Sequence, residues 1–277
     1  MKLSRRKTIL GMGLLAGGSG ATLSSAALTS SADSGADMRV VADQSLTVRA
    51  GDLFSSLSEV DENTSPSGDI NYVAYIGDST NEDYDTPGNV LFSSNDADGS
   101  LTSDSVIDED DTLETPAVIA NGGDDGNFAF AVAVRLNDVV DFSELIEVEN
   151  NTNSEENVGI TFSTFGSDAS GVGGNPGGEE AVATQVYRFY EGSSTETRIS
   201  TDSTGWTSTT DQTPANFMTV GSGDTEQITL SNDTGEGSTG ISSGNIRSAV
   251  TGATPGFGQN LTDIDLVDTI EIGLDST

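Results

Sequence analysis

Glu147 and Glu149 are the first residues in this sequence whose type and spacing could do chemistry. They lie in the stretch DFSELIEVENNTNSEENVGITFS, residues 141–163. Two carboxylates two residues apart on an extended chain project from one face, roughly 6.5–7 Å apart. Glycosidases that pair a general acid with a general base use similar separations. The plainer account is the wet side of a strand whose other side, Ile146 and Val148, is buried. With 45 acidic residues in 277, same-face pairs recur by chance, and nothing near this one implies a raised carboxyl pKa. The expectation is framework, with no catalytic residue.

Other candidates are weighed the same way. The acidic run SNDADGSLTSDSVIDEDD supplies Asp96, Asp98, Asp104 and Asp108 as candidate Ca²⁺ ligands. It is not an EF-hand, because aligning Gly99 to the loop glycine puts Ser94 and Ser105 where carboxylates belong. A solvated acidic loop is the competing account. Sequons at Asn63, Asn150, Asn232 and Asn260 are glycosylation candidates, and three of them fall in stretches that read as loops. The run GSDASGVGGNPGGEE has no Lys and leads into another strand pattern, so it reads as a flexible loop and not as a phosphate cradle. Trp206 could stack on a sugar, but a lone Trp in a β protein is more often a packing residue. The chain has neither Cys nor His. That excludes disulfides, thiolate nucleophiles, Ser-His-Asp triads and His-ligated zinc. No cofactor is expected, with Ca²⁺ left open.

The elements that would position these groups are strands. In Asn127–Leu136, Phe128, Phe130, Val132, Val134 and Leu136 share one face, while Ala129, Ala131, Ala133 and Arg135 share the other. Small residues on the second face predict a strand packed on both sides. Similar alternation marks 69–76 (Ile70, Tyr72, Ala74, Ile76), 158–162, 181–190, 226–230 and 269–274. Helical spacing is nearly absent, and Thr, Val and Gly stand where helix formers would be needed. Ser-, Thr-, Gly- and Asp-rich loops are predicted over 165–180, 193–213 and 231–245. The expected fold class is all-β: an antiparallel β-sandwich, jelly-roll or Ig-like, with long acidic loops.

The first 27 residues read as a signal segment. A basic start (Lys2, Arg5, Arg6, Lys7) leads into a short apolar run and then into small residues ending at Ala27. Ser4-Arg5-Arg6 points to twin-arginine export, with the general secretory route as the alternative. Four of the ten basic residues lie in this segment, so six, all Arg, remain against 45 acidic ones. The formal charge after cleavage is −39. Such self-repulsion strains a compact state in dilute buffer but is screened over roughly 3 Å in about 1 M salt. The expectation is a secreted, salt-adapted protein with no transmembrane anchor. A chain without a basic stripe is not expected to bind nucleic acid.

Three stretches carry a family resemblance. SSAALTSSADSGADMRVVADQ resembles the start of secreted proteins of halophilic archaea. Phe142, Leu145, Ile146 and Val148 before Asn150 and Asn151 resemble a second hallmark of that group, and DTIEIGLDST resembles its closing strand. These proteins are similar to the camelysin and TasA class of exported β-sandwich proteins, some of which build matrix fibres. Leu28 departs from the Phe usual there, and the loops between 165 and 245 have no counterpart. Without His, the metalloprotease label attached to camelysin does not carry over. The resemblance implies three parts: signal 1–27, an N-terminal strand segment 28–50 and a β-sandwich domain 51–277. It also implies assembly by strand donation, in which 28–50 completes a neighbour's sheet through Met38, Val40, Leu46 and Val48. The competing account makes this segment the first strand of its own domain. The expected function is that of a structural protein of the cell surface or extracellular matrix, in the manner of a filament subunit, with itself or surface-layer components as partners. The alternative is a surface β-sandwich module binding glycan or Ca²⁺.

Overall fold

The computed structural model describes residues 33–57, 61–63, 70–75, 116–121, 128–135, 138–165, 179–208, 211–234 and 267–275. Their strands are β1 (Asp33–Ala42), β2 (Leu46–Ala50), β3 (Asp61–Asn63), β4 (Tyr72–Tyr75), β5 (Ala117–Asn121), β6 (Ala129–Arg135) and β7 (Val139–Asn150). They continue with β8 (Glu156–Thr164), β9 (Tyr187–Glu191), β10 (Thr201–Ser208), β11 (Asp211–Pro214), β12 (Met218–Val220), β13 (Thr225–Asp233) and β14 (Thr269–Leu274). A 3-10 turn, Asp52–Phe54, follows β2, and a short helix, α1 (Glu179–Val186), precedes β9. The all-β expectation holds for these residues, and none of their helices is long and apolar enough to cross a membrane.

The strands form a large sheet in the order β12-β8-β14-β1-β6-β5-β4-β3, a small sheet β2-β7-β13-β9 and a ribbon β10-β11. Most neighbours are antiparallel, but β1 runs parallel to β14 and β4 parallel to β5. The large sheet is therefore mixed, not purely antiparallel. The stretch 141–163 spans both sheets: β7 belongs to the small one and β8 to the large one. Its Asn-rich turn is a corner between sheets and not a hairpin.

One apolar cluster joins the two. Met38, Phe130, Ile160 and Ile272 of the large sheet share it with Val48, Phe142, Ile146 and Leu230 of the small one. Truncating such a fully buried Phe to Ala costs about 3–5 kcal/mol. The prediction of double-sided burial for β6 is met, since Phe130 and Val132 on one face and Ala131 and Ala133 on the other are all inaccessible to solvent. In β4 the face expected to be apolar, Tyr72 and Ala74, is buried, but Val73 on the opposite face is the one that joins the shared cluster.

Residues 181–190 correct the sequence reading. The expected single strand is the end of helix α1 followed by the short strand β9. Glu, Ala and Gln are good helix formers, and the two glutamates sit at the helix start, where negative charge is favoured.

Two sheet edges are sealed from within. Residues 197–201 bridge the sheets on one side: the Ile199 amide donates to Phe189 of β9 and the Ile160 amide of β8 donates to Ile199, both at 2.9 Å. The Gln212 side chain then pairs with Phe162 as a strand would, accepting its N–H at 3.0 Å and donating to its carbonyl at 2.6 Å. Unpaired edges invite foreign strands, and these are plugged.

Candidate functional site

The outer face of the small sheet carries the carboxylate pair. Register aligns Thr47 with Glu149 and Arg49 with Glu147, so Arg49 stands directly over the pair. Its Nε donates to Glu147 Oε1 at 2.5 Å and its Nη1 to Glu149 Oε2 at 2.9 Å. Gln227 on β13 donates to the second oxygen of Glu147 at 2.7 Å. Partial burial works against the Arg49 charge, but the bonds to Glu147 and Glu149 outweigh it and raise the guanidinium pKa. Both carboxylates are thus held on one cation. The arrangement acts as a clasp between β2, β7 and β13.

Beside the clasp β7 bulges. Glu144 adopts φ 56°, a left-handed conformation that costs a non-glycine residue about 1–2 kcal/mol. Its amide donates to the Thr229 hydroxyl at 3.1 Å. The bulge carbonyl lies against Gly51, where an added Cβ would meet it at 2.2 Å.

Two sequons are corrected by burial. Asn150 was expected in a loop, but it closes β7 and is inaccessible to solvent. Its Nδ2 donates to the carbonyls of Ser154 at 2.8 Å and Val220 at 2.9 Å, and its Oδ1 accepts the Thr152 amide. Asn232 lies within β13, also fully buried, and neither atom of its amide has a hydrogen-bond partner. A glycan on either nitrogen would put sugar into the core. Asn63 ends β3. Asn260 and the Ca²⁺ candidates Asp96, Asp98, Asp104 and Asp108 lie outside the described residues. Among the described residues no three carboxylates are grouped so as to hold a cation.

The segment anchors Met38, Val40, Leu46 and Val48 are all buried in this chain's own core. β1 pairs antiparallel with β6 through Asp33–Arg39 and parallel with β14 through Arg39–Ala42. Within one chain, the segment serves as the first strands of its own sheets. The turn to β2 is tied by Asp43, whose Oδ1 accepts the Ser45 amide at 2.9 Å and hydroxyl at 2.5 Å.

Trp206 meets Phe165 edge-on, with centroids 5.5 Å apart, the packing role weighed against sugar stacking. Sequence reasoning missed the arginines. Arg188 pairs with the buried Asp233 at 3.1 Å. Arg198 is largely buried, which pushes its pKa down to about 10, with the nearby Arg188 charge contributing. It donates to Ser200 Oγ at 3.1 Å and to the carbonyls of Thr184 and Thr201. The scarcity of cations in so acidic a chain was the signal available.

Comparison with family profiles, curated proteins and solved structures returns no match.

Proposed function

We propose that this chain is a secreted, salt-adapted structural protein of the cell surface or extracellular matrix, akin to the camelysin and TasA class. The large and small sheets form a β-sandwich of the jelly-roll or Ig-like kind, and the role is one of assembly and not catalysis. The observation that carries the reading is the placement of β1. This N-terminal strand lies between β6 and β14 with Met38 and Val40 as its buried anchors. It joins the rest of the chain through the short Asp43–Ser45 turn. A strand so placed fills in its own chain the slot that a neighbour's strand would fill in a fibre, with the same backbone bonds and anchors. The clamped carboxylates support a non-enzymatic role, and the formal charge of −35 supports life in concentrated salt.

Electron microscopy of residues 28–277 in multimolar salt, beside a version starting at Gly51, tests the reading. Filaments from the longer chain alone are the expected result. Monodisperse particles from both would sink strand donation. Mass spectrometry of the exported chain tests the signal reading, which requires a new N-terminus near Leu28.

A further inference from the structure

The edge formed by β2 differs from the sealed ones. The Asn151 amide donates to the Ser45 carbonyl at 2.9 Å and the Gly51 amide to the Leu145 carbonyl at 3.0 Å. Antiparallel pairing alternates, so Ser45, Thr47, Arg49 and Gly51 turn their backbone groups toward β7, and Leu46, Val48 and Ala50 turn theirs away. The Leu46 amide closes the turn on Asp43 at 2.9 Å. Among the described residues nothing pairs with the Val48 and Ala50 amides or with the carbonyls of Leu46, Val48 and Ala50. Proteins blunt such an edge with an outward charge, but Arg49 is folded back onto Glu147 and Glu149.

We propose that β2 pairs antiparallel with β2 of a second copy, centred on Val48, merging two small sheets into one of eight strands. Three observations select a second copy as the occupant. The strand, Leu-Thr-Val-Arg-Ala, has no acidic residue in a chain of formal charge −35, so this edge is a gap in the acid coat where two copies approach with little repulsion. The register is self-complementary. Val48 faces Val48 in a doubly bonded pair, and each Ala50 amide meets the opposing Leu46 carbonyl, four bonds in all that leave the Leu46 amide in its turn. The same register sets Arg49 opposite Thr47 of the other copy, so the two cations do not oppose each other. Donation by β1 alone leaves this edge in place, whereas donation of the whole 28–50 segment would carry β2 with it.

The test uses the full chain. After any filaments are cleared by centrifugation, light scattering behind gel filtration is expected to give twice the chain mass in about 3 M KCl and the single mass near 0.1 M, where repulsion between the acidic chains still reaches about 10 Å. Val48→Pro deletes an outward N–H without touching the β7 ladder, a position where proline is tolerated. It is expected to return the high-salt mass to that of one chain. With no Cys in the sequence, Thr47→Cys carries a single nitroxide. In the proposed register the two labelled positions are diagonal neighbours about 7–8 Å apart, which broadens the spectrum strongly in high salt. This readout decides the matter even if the proline variant does not fold. A single-chain mass in 3 M KCl, or a double mass without broadening at position 47, overturns the pairing.

Discussion

Asn232 offers the sharpest test of how this core is read. Its side chain is fully buried, and neither amide atom is partnered. Its cross-strand neighbours are Val140 on β7 and Tyr187 on β9. A buried amide without partners costs about 1–3 kcal/mol in lost hydration. Asn232→Leu keeps similar bulk, removes that cost and adds apolar burial worth about 1.5–3 kcal/mol. Imperfect fit takes back about 1–3 kcal/mol. The net expectation is a gain of about 1–3 kcal/mol. A chain of this size gains about 2–4 °C in Tm per kcal/mol, so the rise should be about 2–12 °C. Circular dichroism melts in about 3 M KCl would measure it. A fall in Tm would refute the reasoning, because it would mean that the amide has a partner in solution.

Peptide mass mapping of the protein from its native source should find Asn150 and Asn232 unmodified, since both are buried in the folded chain. Gly51→Ala should cost about 1–3 kcal/mol or more, because the new methyl would sit 2.2 Å from the Glu144 carbonyl oxygen; urea titration would show it. Arg198→Met strips the donor from the Thr184 and Thr201 carbonyls and should destabilise by about 2–4 kcal/mol in the same assay. Asp202 is partly buried, which alone would raise its pKa, but the Thr204 hydroxyl and the Gly205 and Thr204 amides hold it below 3.8. Its folded value is thus below the unfolded one, so its contribution is present above about pH 4 and is lost on acidification. Asp202→Asn should narrow the stability difference between pH 6 and pH 3, which acid-titrated melts would read.

Alternation made β4, β6, β8, β13 and β14 legible, but 193–213, expected as a loop, holds β10 and most of β11. Phe130 and Val132 opposite Ala131 and Ala133 announced a strand buried on both faces, and Val158, Ile160 and Phe162 announced β8. Alternation cannot say which sheet a strand joins, so nothing local marks 151–155 as a crossing between sheets. It also misled at α1, where Val182, Thr184 and Val186 alternate within a helix only eight residues long, too short to show its own period. The burial of the two sequons was available from parity: Asn150 follows Ile146 and Val148, and Asn232 follows Ile228 and Leu230, each on the inward phase of its strand. The sequon pattern itself carries no such phase. The Arg49 clasp depended on strand register, which pairs residues about a hundred positions apart and leaves no local mark.

The arginines show how so acidic a chain holds itself together. The three whose side chains are described each tie separate elements: Arg49 joins β2 to β7, Arg188 joins β9 to β13, and Arg198 joins α1 to β10. Their charge is committed inward, so it does little to offset the acidic coat. Lowering the salt strengthens these few contacts and the many repulsions together. With 45 acidic residues against ten basic ones, repulsive pairs far outnumber attractive ones, and salt screens exposed charges most effectively. The contacts at Arg188 and Arg198 are partly buried and gain little as salt falls. Added salt is therefore expected to raise the Tm, by relaxing the surface while leaving the internal ties in place.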